Sequence, residues 1–581
     1  MPERKFQWKL SQIRKQIDVI SNKLAPTTVL KNATYLNSYL RQWIKANIWI
    51  VEDRIVYVGD HLPEKTTNTD IVDCTNKVVV PGYIEPHAHP FQLYNPLTLA
   101  KYVSQTGTTT FIGDNLFFLL QYEKKKALTF LDWIDKMPFH FFWWARFDLQ
   151  TEVNSEEKIF SHDFLKEWLE HKSVIQGGEL TCWPKLLDGD DWILYWLRET
   201  KRKGKRIEGH FPGASENTLT KMKLFGVDSD HESMTGKDVM KRLKLGYTAA
   251  LRHSSIRPDL FKLLKEIQDE GLTTYDHLYY TTDGATPTFY ENGMINRCID
   301  IALDSNVPAV DAYNMASFNI ARYYQLEDQI GVIAPGRMAT LNILDSMDQP
   351  DPSSVMAKGT WLYRDGIPIE GVADAVDWAS HGLQPLNLKW DLTTDDLQFS
   401  MPLGMKMRDS VIMEPYSVTI DSSMNELSES HDESFLALID RNGEWRINTV
   451  IKGFAKQIQG FASSYSTTGD LIIIGKNKTE MLAAFQRMKE LGGGIVLSEN
   501  GKIKFEMSLP LSGGASDEEL NEVINKQKQL NSLLRERGYC FSDPLYSLLF
   551  LSATHLPYIR ITPRGIFDVM KKTVLFPSIM R

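Results

Sequence analysis

The period of the hydrophobic positions changes along the chain, and each change marks a different kind of element. Leu10, Ile13, Ile17, Ile20 and Leu24 recur at three- and four-residue steps and put one apolar stripe on a helix. The spacing predicts an N-terminal amphipathic helix, residues 1–26, docked on its own domain. From residue 27 the pattern shortens to strands: Thr28-Val29-Leu30, Ile48 to Val51 and Arg54 to Val58, with Asp53 and Gly59-Asp60 as turns. A second set of short strands returns at Ala339 to Ile343 and Gly359 to Tyr363. Two β-rich flanks predict one composite β-sandwich domain, 27–81 plus 332–380, with another domain inserted.

The inserted stretch, 82–331, alternates strand-like and helix-like segments. Val78-Val79-Val80 is broken by Pro81-Gly82, Tyr83-Ile84 resumes extended structure, and His87 and His89 follow. Further β-branched or aromatic runs are Thr108 to Ile112, His140 to Trp144, Val174-Ile175, Arg206-Ile207, Phe225 to Val227, Tyr247 to Leu251 and His277 to Thr282. Eight strand–loop–helix units in about 250 residues is the size of a (β/α)8 barrel, which sets the class as α/β. Residues 390–581 predict a C-terminal α+β domain. Asn442-Gly443 and Asn500-Gly501 read as hairpin turns, and 518–537 as a charged helix. Gly492-Gly493-Gly494 lacks the Lys-Ser/Thr ending of a phosphate loop and reads as a strand-entry turn. Asp188-Gly189-Asp190-Asp191 lacks the rest of a calcium ligand ladder and reads as a turn with a helix cap.

Composition narrows the partners. Hydrophobic content of 43% and charged content of 24% are ordinary for a globular chain, and 581 residues supply a large core. A net charge of −9 offers no basic stripe, which argues against nucleic acid as a partner. Cys74, Cys182, Cys298 and Cys540 make no Cys-x-x-Cys pair and read as reduced, buried thiols. Lys9, Arg14 and Lys15 interrupt the N-terminal segment, unlike a signal peptide, and no stretch has the length of a membrane span. Phe139 to Trp144 is an aromatic run of strand length. Together these predict a cytoplasmic protein with no membrane partner.

Metal-competent side chains fall at one kind of place. His87 and His89 are two apart, so extended backbone points both imidazoles to one face. With Glu179, His210, His231 and Asp283, each closes a predicted strand or opens the loop after it. Barrel enzymes gather their sites at the C-terminal strand ends, so all six would converge on one rim. Most other histidines (His61, His140, His162, His171, His277, His381, His431 and His555) fall elsewhere. His253 also ends a strand and is a reserve candidate. Four imidazoles and two carboxylates exceed what a single tetrahedral ion needs and suit two ions with a carboxylate bridge. Glu179 is the predicted bridge, His87, His89 and Asp283 the ligands of one ion, and His210 and His231 those of the other. Water shared by two divalent ions becomes a nucleophile near neutral pH, and Asp283 is the predicted general base and acid.

At this point the motifs resemble the metal-dependent amidohydrolase superfamily and, within it, the adenine deaminases. The resemblance is carried by PGYIEPHAHP (81–90), GTTTF (107–111), GGELTCWPKLLDGDD (177–191), EGHFPGAS (208–215), DSDHES (228–233) and YTTDGATP (280–287). The stretch 311–344 resembles the family's return into the β-domain, and 454–475 and 544–567 are similar to its C-terminal domain. The resemblance implies adenine plus water giving hypoxanthine and ammonia. It also implies two divalent ions, manganese or iron with zinc equally suited to the ligands, and a homo-oligomer such as a dimer. An aminopurine or related heterocycle would be the small-molecule partner.

The chain also departs from the family pattern. His-x-His-Ile-Glu-Ser becomes His89-Pro90-Phe91-Gln92, with the acid replaced by Phe91. Asp-Pro-His-Glu becomes Asp114-Asn115-Leu116-Phe117, and histidines expected after a Ser-Ser pair become Thr467, Thr468 and Gly469. Asp114, Asn115, Phe91, Arg252 and His253 are the candidate substrate contacts. Two other readings stay open: an amidohydrolase acting on a different, more apolar aminopurine or a cyclic amide, and a non-catalytic scaffold that keeps the fold.

Overall fold

A computed structural model describes residues 8–154, 156–372 and 376–581; the other positions, including the first seven of the N-terminal segment, lie outside the described residues, as does the Lys124 side chain. At its centre are eight parallel strands: β1 (Tyr83–Ala88), β2 (Thr108–Gly113), β3 (His140–Ala145), β4 (Val174–Leu180), β5 (Arg206–Gly209), β6 (Ser229–Asp230), β7 (Thr248–Arg252) and β8 (Leu278–Thr281). Each pairs in parallel with the next in chain order, and helices fill most of the connections. Strands such as β2 (Thr-Thr-Thr-Phe-Ile-Gly) are buried at every position, as a sheet covered on both faces requires.

Among the described residues β1 and β8 share no ladder, and a side chain closes the seam between them. Glu85 of β1 accepts from Thr281 Oγ1 at 2.7 Å, the Thr282 backbone N–H at 2.9 Å and Thr282 Oγ1 at 2.7 Å. Burial lifts this carboxyl to about 7 in spite of those donors. One strand differs from the expected position. Phe225 ends the helix Glu216–Leu224 and Gly226 turns with φ 101°, so β6 starts later, at Ser229.

Strands from both flanks of the barrel hydrogen-bond into one nine-stranded sheet. The joining pair is Val78–Pro81 against Leu341–Ser346, antiparallel, with Val79 opposite Ile343. This register hands the chain directly into β1. The helix Leu10–Ile20 docks on the same sheet, but not through the predicted stripe. Val19 is buried among Val29, Trp49, Val51 and Val56, and Lys15 pairs with Glu52 at 2.7 Å. That rotation leaves Leu10 and Ile17 74% and 59% exposed.

The C-terminal part holds a second nine-stranded sheet and a three-stranded one. Helix Lys478–Glu490 sends Met481, Phe485 and Met488 into the core of the larger sheet. Asn500 and Gly501 both have positive φ (53° and 67°) and form the tight turn between Gly494–Glu499 and Lys502–Ser508. Asp190 caps helix Asp191–Arg202 by accepting the Ile193 N–H at 2.9 Å. Cys540 is exposed, unlike the other three cysteines, and all four are free. No helix among the described residues is long and apolar enough to cross a membrane.

Candidate metal centre

All six predicted ligands stand at C-terminal strand ends, and their side chains meet. His87 is on β1 and His89 just past it, Glu179 is on β4, His210 and His231 directly follow β5 and β6, and Asp283 follows β8. Asp283 takes a left-handed backbone (φ 55°), and a Cβ on the next residue, Gly284, would meet His89 Cδ2 at 2.7 Å. The glycine lets the β8 loop close onto His89.

Three groups of donors each have ligand atoms within 4.8 Å of one another: His87, His89 and Glu179; His87, His231 and Asp283; Glu179, His210 and His231. Nε2 of His87 and of His89 lie 3.6 and 3.2 Å from Asp283 Oδ1. Opposite them, His210 Nδ1 and His231 Nε2 lie 2.8 and 3.5 Å from Glu179 Oε1. The far ring nitrogens are engaged elsewhere. His87 Nδ1 is 3.0 Å from Glu208 Oε2, His231 Nδ1 is 3.3 Å from Glu208 Oε1, and His89 Nδ1 is 3.0 Å from Asp114 Oδ2. Carboxylates behind imidazoles are how metal ligands are oriented. His87 Nε2 is buried with no hydrogen-bond partner, and an orphaned imidazole nitrogen facing carboxylates fits a divalent cation.

The buried charges are matched. Burial alone would raise the Glu179 carboxyl, yet Arg146, His210 and His231 hold it well below the usual range. Asp283 is likewise held down against burial by Arg252, 2.9 Å away, and by His89 and His87. Asp114 and Glu208 sit at about 2 despite burial, the first through Arg146 and His89, the second through His87 and His231. Desolvation disfavours a charged His89, but Asp114 and Asp283 outweigh it and raise the ring to about 10.

Over this cluster lies a cavity of about 490 Å³, walled by both the barrel and the C-terminal part. Of the candidate substrate contacts, Phe91, Asp114 and Arg252 line it. Phe91 stacks on Phe117, another lining residue, with centroids 4.2 Å apart and planes 6° from parallel. Two of the predicted contacts do not reach the cavity. Asn115 accepts the Arg146 backbone N–H at 3.1 Å. His253 packs 5.9 Å from Phe289, and burial together with Arg297 pushes it down to about 4.

Sequence reasoning missed Arg146, Gln150, Glu232 and His555. Arg146 Nη2 donates to Glu179 Oε2 at 2.6 Å and to Asp114 Oδ2 at 2.9 Å, while Nε donates to Asp114 Oδ1 at 2.6 Å. Gln150 Nε2 reaches the same Glu179 oxygen at 3.2 Å. Glu232 accepts from Arg252 and Arg257 and lies 3.7 Å from His210 Nδ1. Arg146 and Glu232 carry the same strand-end signal as the six candidate ligands, since they follow β3 and β6. His555 carries no local signal, because the C-terminal part brings it in, 5.5 Å from the His210 ring.

A parallel eight-stranded barrel with imidazoles and carboxylates massed on its C-terminal rim is the architecture of an amidohydrolase, and residues 78–362 match the amidohydrolase family. Residues 410–573 match the adenine deaminase C-terminal domain. The chain is 61% identical to a Bacillus subtilis protein and 54% identical to one from Halalkalibacterium halodurans, each covered in full along with this chain and each named "putative adenine deaminase". It is 25% identical to the adenine deaminase of Bacillus velezensis over 93% of this chain and 95% of that one. The chain belongs to the adenine deaminase family, a branch of the hydrolases acting on C–N bonds other than peptide bonds.

Proposed function

We propose that this chain removes the amino group of an aminopurine by hydrolysis, adenine and water giving hypoxanthine and ammonia. The observation that carries the reading is the set of imidazole–carboxylate groups around Glu179, on the floor of a cavity with room for a purine. His87, His89 and Asp283 would hold one divalent ion, His210 and His231 a second, with Glu179 between them. Bound there, manganese, iron or zinc supplies Lewis acidity that makes water nucleophilic near neutral pH. Arg146 and Gln150 hold Glu179 Oε2, which leaves Oε1 facing His210 and His231. Asp283, kept ionised beside Arg252, is in the acceptor form; it takes a proton from the attacking water and returns one to the departing nitrogen. The Phe91–Phe117 stack offers a flat apolar wall for a heterocycle.

That stack favours a second reading, in which a substituted, more apolar aminopurine is a better substrate than adenine. A wall that makes hydrogen bonds rejects mismatched ligands strongly, whereas an apolar one discriminates by only ~1–3 kcal/mol per group. The experiment is kcat/KM for adenine against N6- and C2-alkylated adenines on ion-loaded protein, read as released ammonia or alkylamine. Turnover of no aminopurine refutes the first reading. Adenine outrunning every analogue by more than ~100-fold refutes the second.

A further inference from the structure

The barrel rim is roofed by residues from far along the chain. The Ser516 N–H donates to Leu93 O at 2.7 Å beyond β1, and Thr286 Oγ1 beyond β8 donates to Asp543 Oδ2 at 2.9 Å. Beyond β3, the Thr554 N–H donates to Gln150 O at 2.8 Å and Arg564 pairs with Glu152 at 2.7 Å. The β3 contacts fix the segment that carries His555. Its ring stands edge-on to His210 (centroids 5.5 Å, 81°) and to Phe550 (5.8 Å, 86°), and it lines the substrate cavity. Its Nδ1 is buried with no hydrogen-bond partner. That nitrogen is shut off from the cavity, so a ligand meets the ring at its other nitrogen, Nε2, in a wall shared with Leu549, Phe550 and Leu556.

We propose that His555 is a specificity-determining residue that hydrogen-bonds a ring nitrogen of the bound purine; this rests on the aminopurine reading above. His555 neighbours His210, so it stands at the end of the cavity where the purine carbon loses its amino group. The ring nitrogens nearest that carbon are N1 and N7, and an imidazole can donate to either or accept from a protonated one. This contact makes the C-terminal part a reader of the substrate as well as a cover. Gln150 couples the two roles, since its carbonyl holds Thr554 and its side chain donates to Glu179.

The test compares the best aminopurine substrate with its 1-deaza and 7-deaza counterparts on ion-loaded enzyme. Wild-type kcat/KM is expected to fall ~10-fold or more on one of the two analogues, the scale of one lost hydrogen bond in a closed site. His555→Val should lower the parent's kcat/KM by a similar factor and lose nothing further on that analogue, with ion content unchanged. His555→Gln keeps a hydrogen-bonding group and should recover part of the parent's rate. Wild-type turnover of the parent by His555→Val overturns the proposal. So does an equal penalty on the parent and both analogues in His555→Val and His555→Gln alike. An enzyme active on aminopurines but indifferent to His555→Val sinks this inference alone, whereas one that turns over no aminopurine sinks the deaminase reading with it.

Discussion

Arg146 and Glu179 are joined by a 2.6 Å hydrogen bond between side chains that are 0% and 3% exposed. The same guanidinium holds both oxygens of Asp114, so one buried cation serves two carboxylates. Asp114 orients His89 and Glu179 faces His210, which makes Arg146 the link between the two halves of the centre. Removing one partner from a buried ionic network leaves an uncompensated charge, at a cost of about 3–5 kcal/mol. Arg146→Met should destabilise by that order and lower ion content. Arg146→Lys keeps the charge but loses the fork, so it should recover stability better than ion affinity. Denaturant unfolding with elemental analysis checks both, and a wild-type midpoint for Arg146→Met would contradict the linkage.

The ligand set itself predicts stoichiometry. Protein prepared with manganese or iron should hold close to two ions per chain. His87→Ala and Glu179→Ala should each lower that number and abolish turnover, because His87 and Glu179 each belong to two of the three donor groups. Full activity after thorough chelation, confirmed by elemental analysis, would sink the two-ion centre.

The barrel and the cluster on its rim were legible because two local signals coincide. β-Branched or aromatic runs mark most of the strands, and the residues that close those runs or open the loops after them are delivered to the rim; His87, Glu179, His210 and Asp283 follow this rule. β6 was misplaced because Phe225 and Val227 look like strand formers, while the short Ser229–Asp230 pair is made a strand only by its neighbours. The helix stripe misled for a similar reason. Leu10 and Ile17 have the right spacing, but Val19 and the Lys15–Glu52 pair decide which face docks. His555 was illegible in principle, since its approach to His210 depends on how the C-terminal part seats on the barrel.

Ion loading should release protons. Asp114 and Asp283 raise His89 to about 10, so at neutral pH the ring holds a proton that a cation must displace. Affinity is therefore expected to fall as pH drops. Titration calorimetry in buffers of different ionisation enthalpy should show net proton release at pH 7. A loading enthalpy independent of buffer would remove the basis for this competition.

Acid stability offers a check far from the centre. Asp396 accepts from Arg581 Nε and Nη2 at 2.7 Å each and from Arg446 Nη1 at 3.0 Å. Burial would raise this carboxyl, but the Arg581 and Thr393 bonds hold it at about 2. A depressed folded-state value means the contribution is fully present above about pH 4, the unfolded carboxylate's range, and is lost as pH falls through about 2. Asp396→Asn should lower stability at pH 7 and flatten the acid limb between those values. Denaturant midpoints measured from pH 7 down to 2 decide it, and parallel curves for variant and wild type would rule Asp396 out.

Asp283 separates binding from chemistry. Asp283→Asn keeps the shape and one oxygen toward His87 and His89 but removes the proton acceptor. The variant is expected to retain most of its ions and its substrate affinity while kcat falls ~10²-fold or more, the scale of a lost general base. Its neighbours make substitution by another group difficult. His253, the reserve candidate, does not line the cavity, and Glu232 is already engaged by Arg252 and Arg257. Asn at 283 also frees Arg252 from one of its two carboxylates, so a change in KM without a change in kcat would point to Arg252 as a substrate anchor and away from Asp283 as the base. Steady-state kcat and KM with ion content on the same preparation distinguish the two, and wild-type kcat moves the proton acceptor elsewhere.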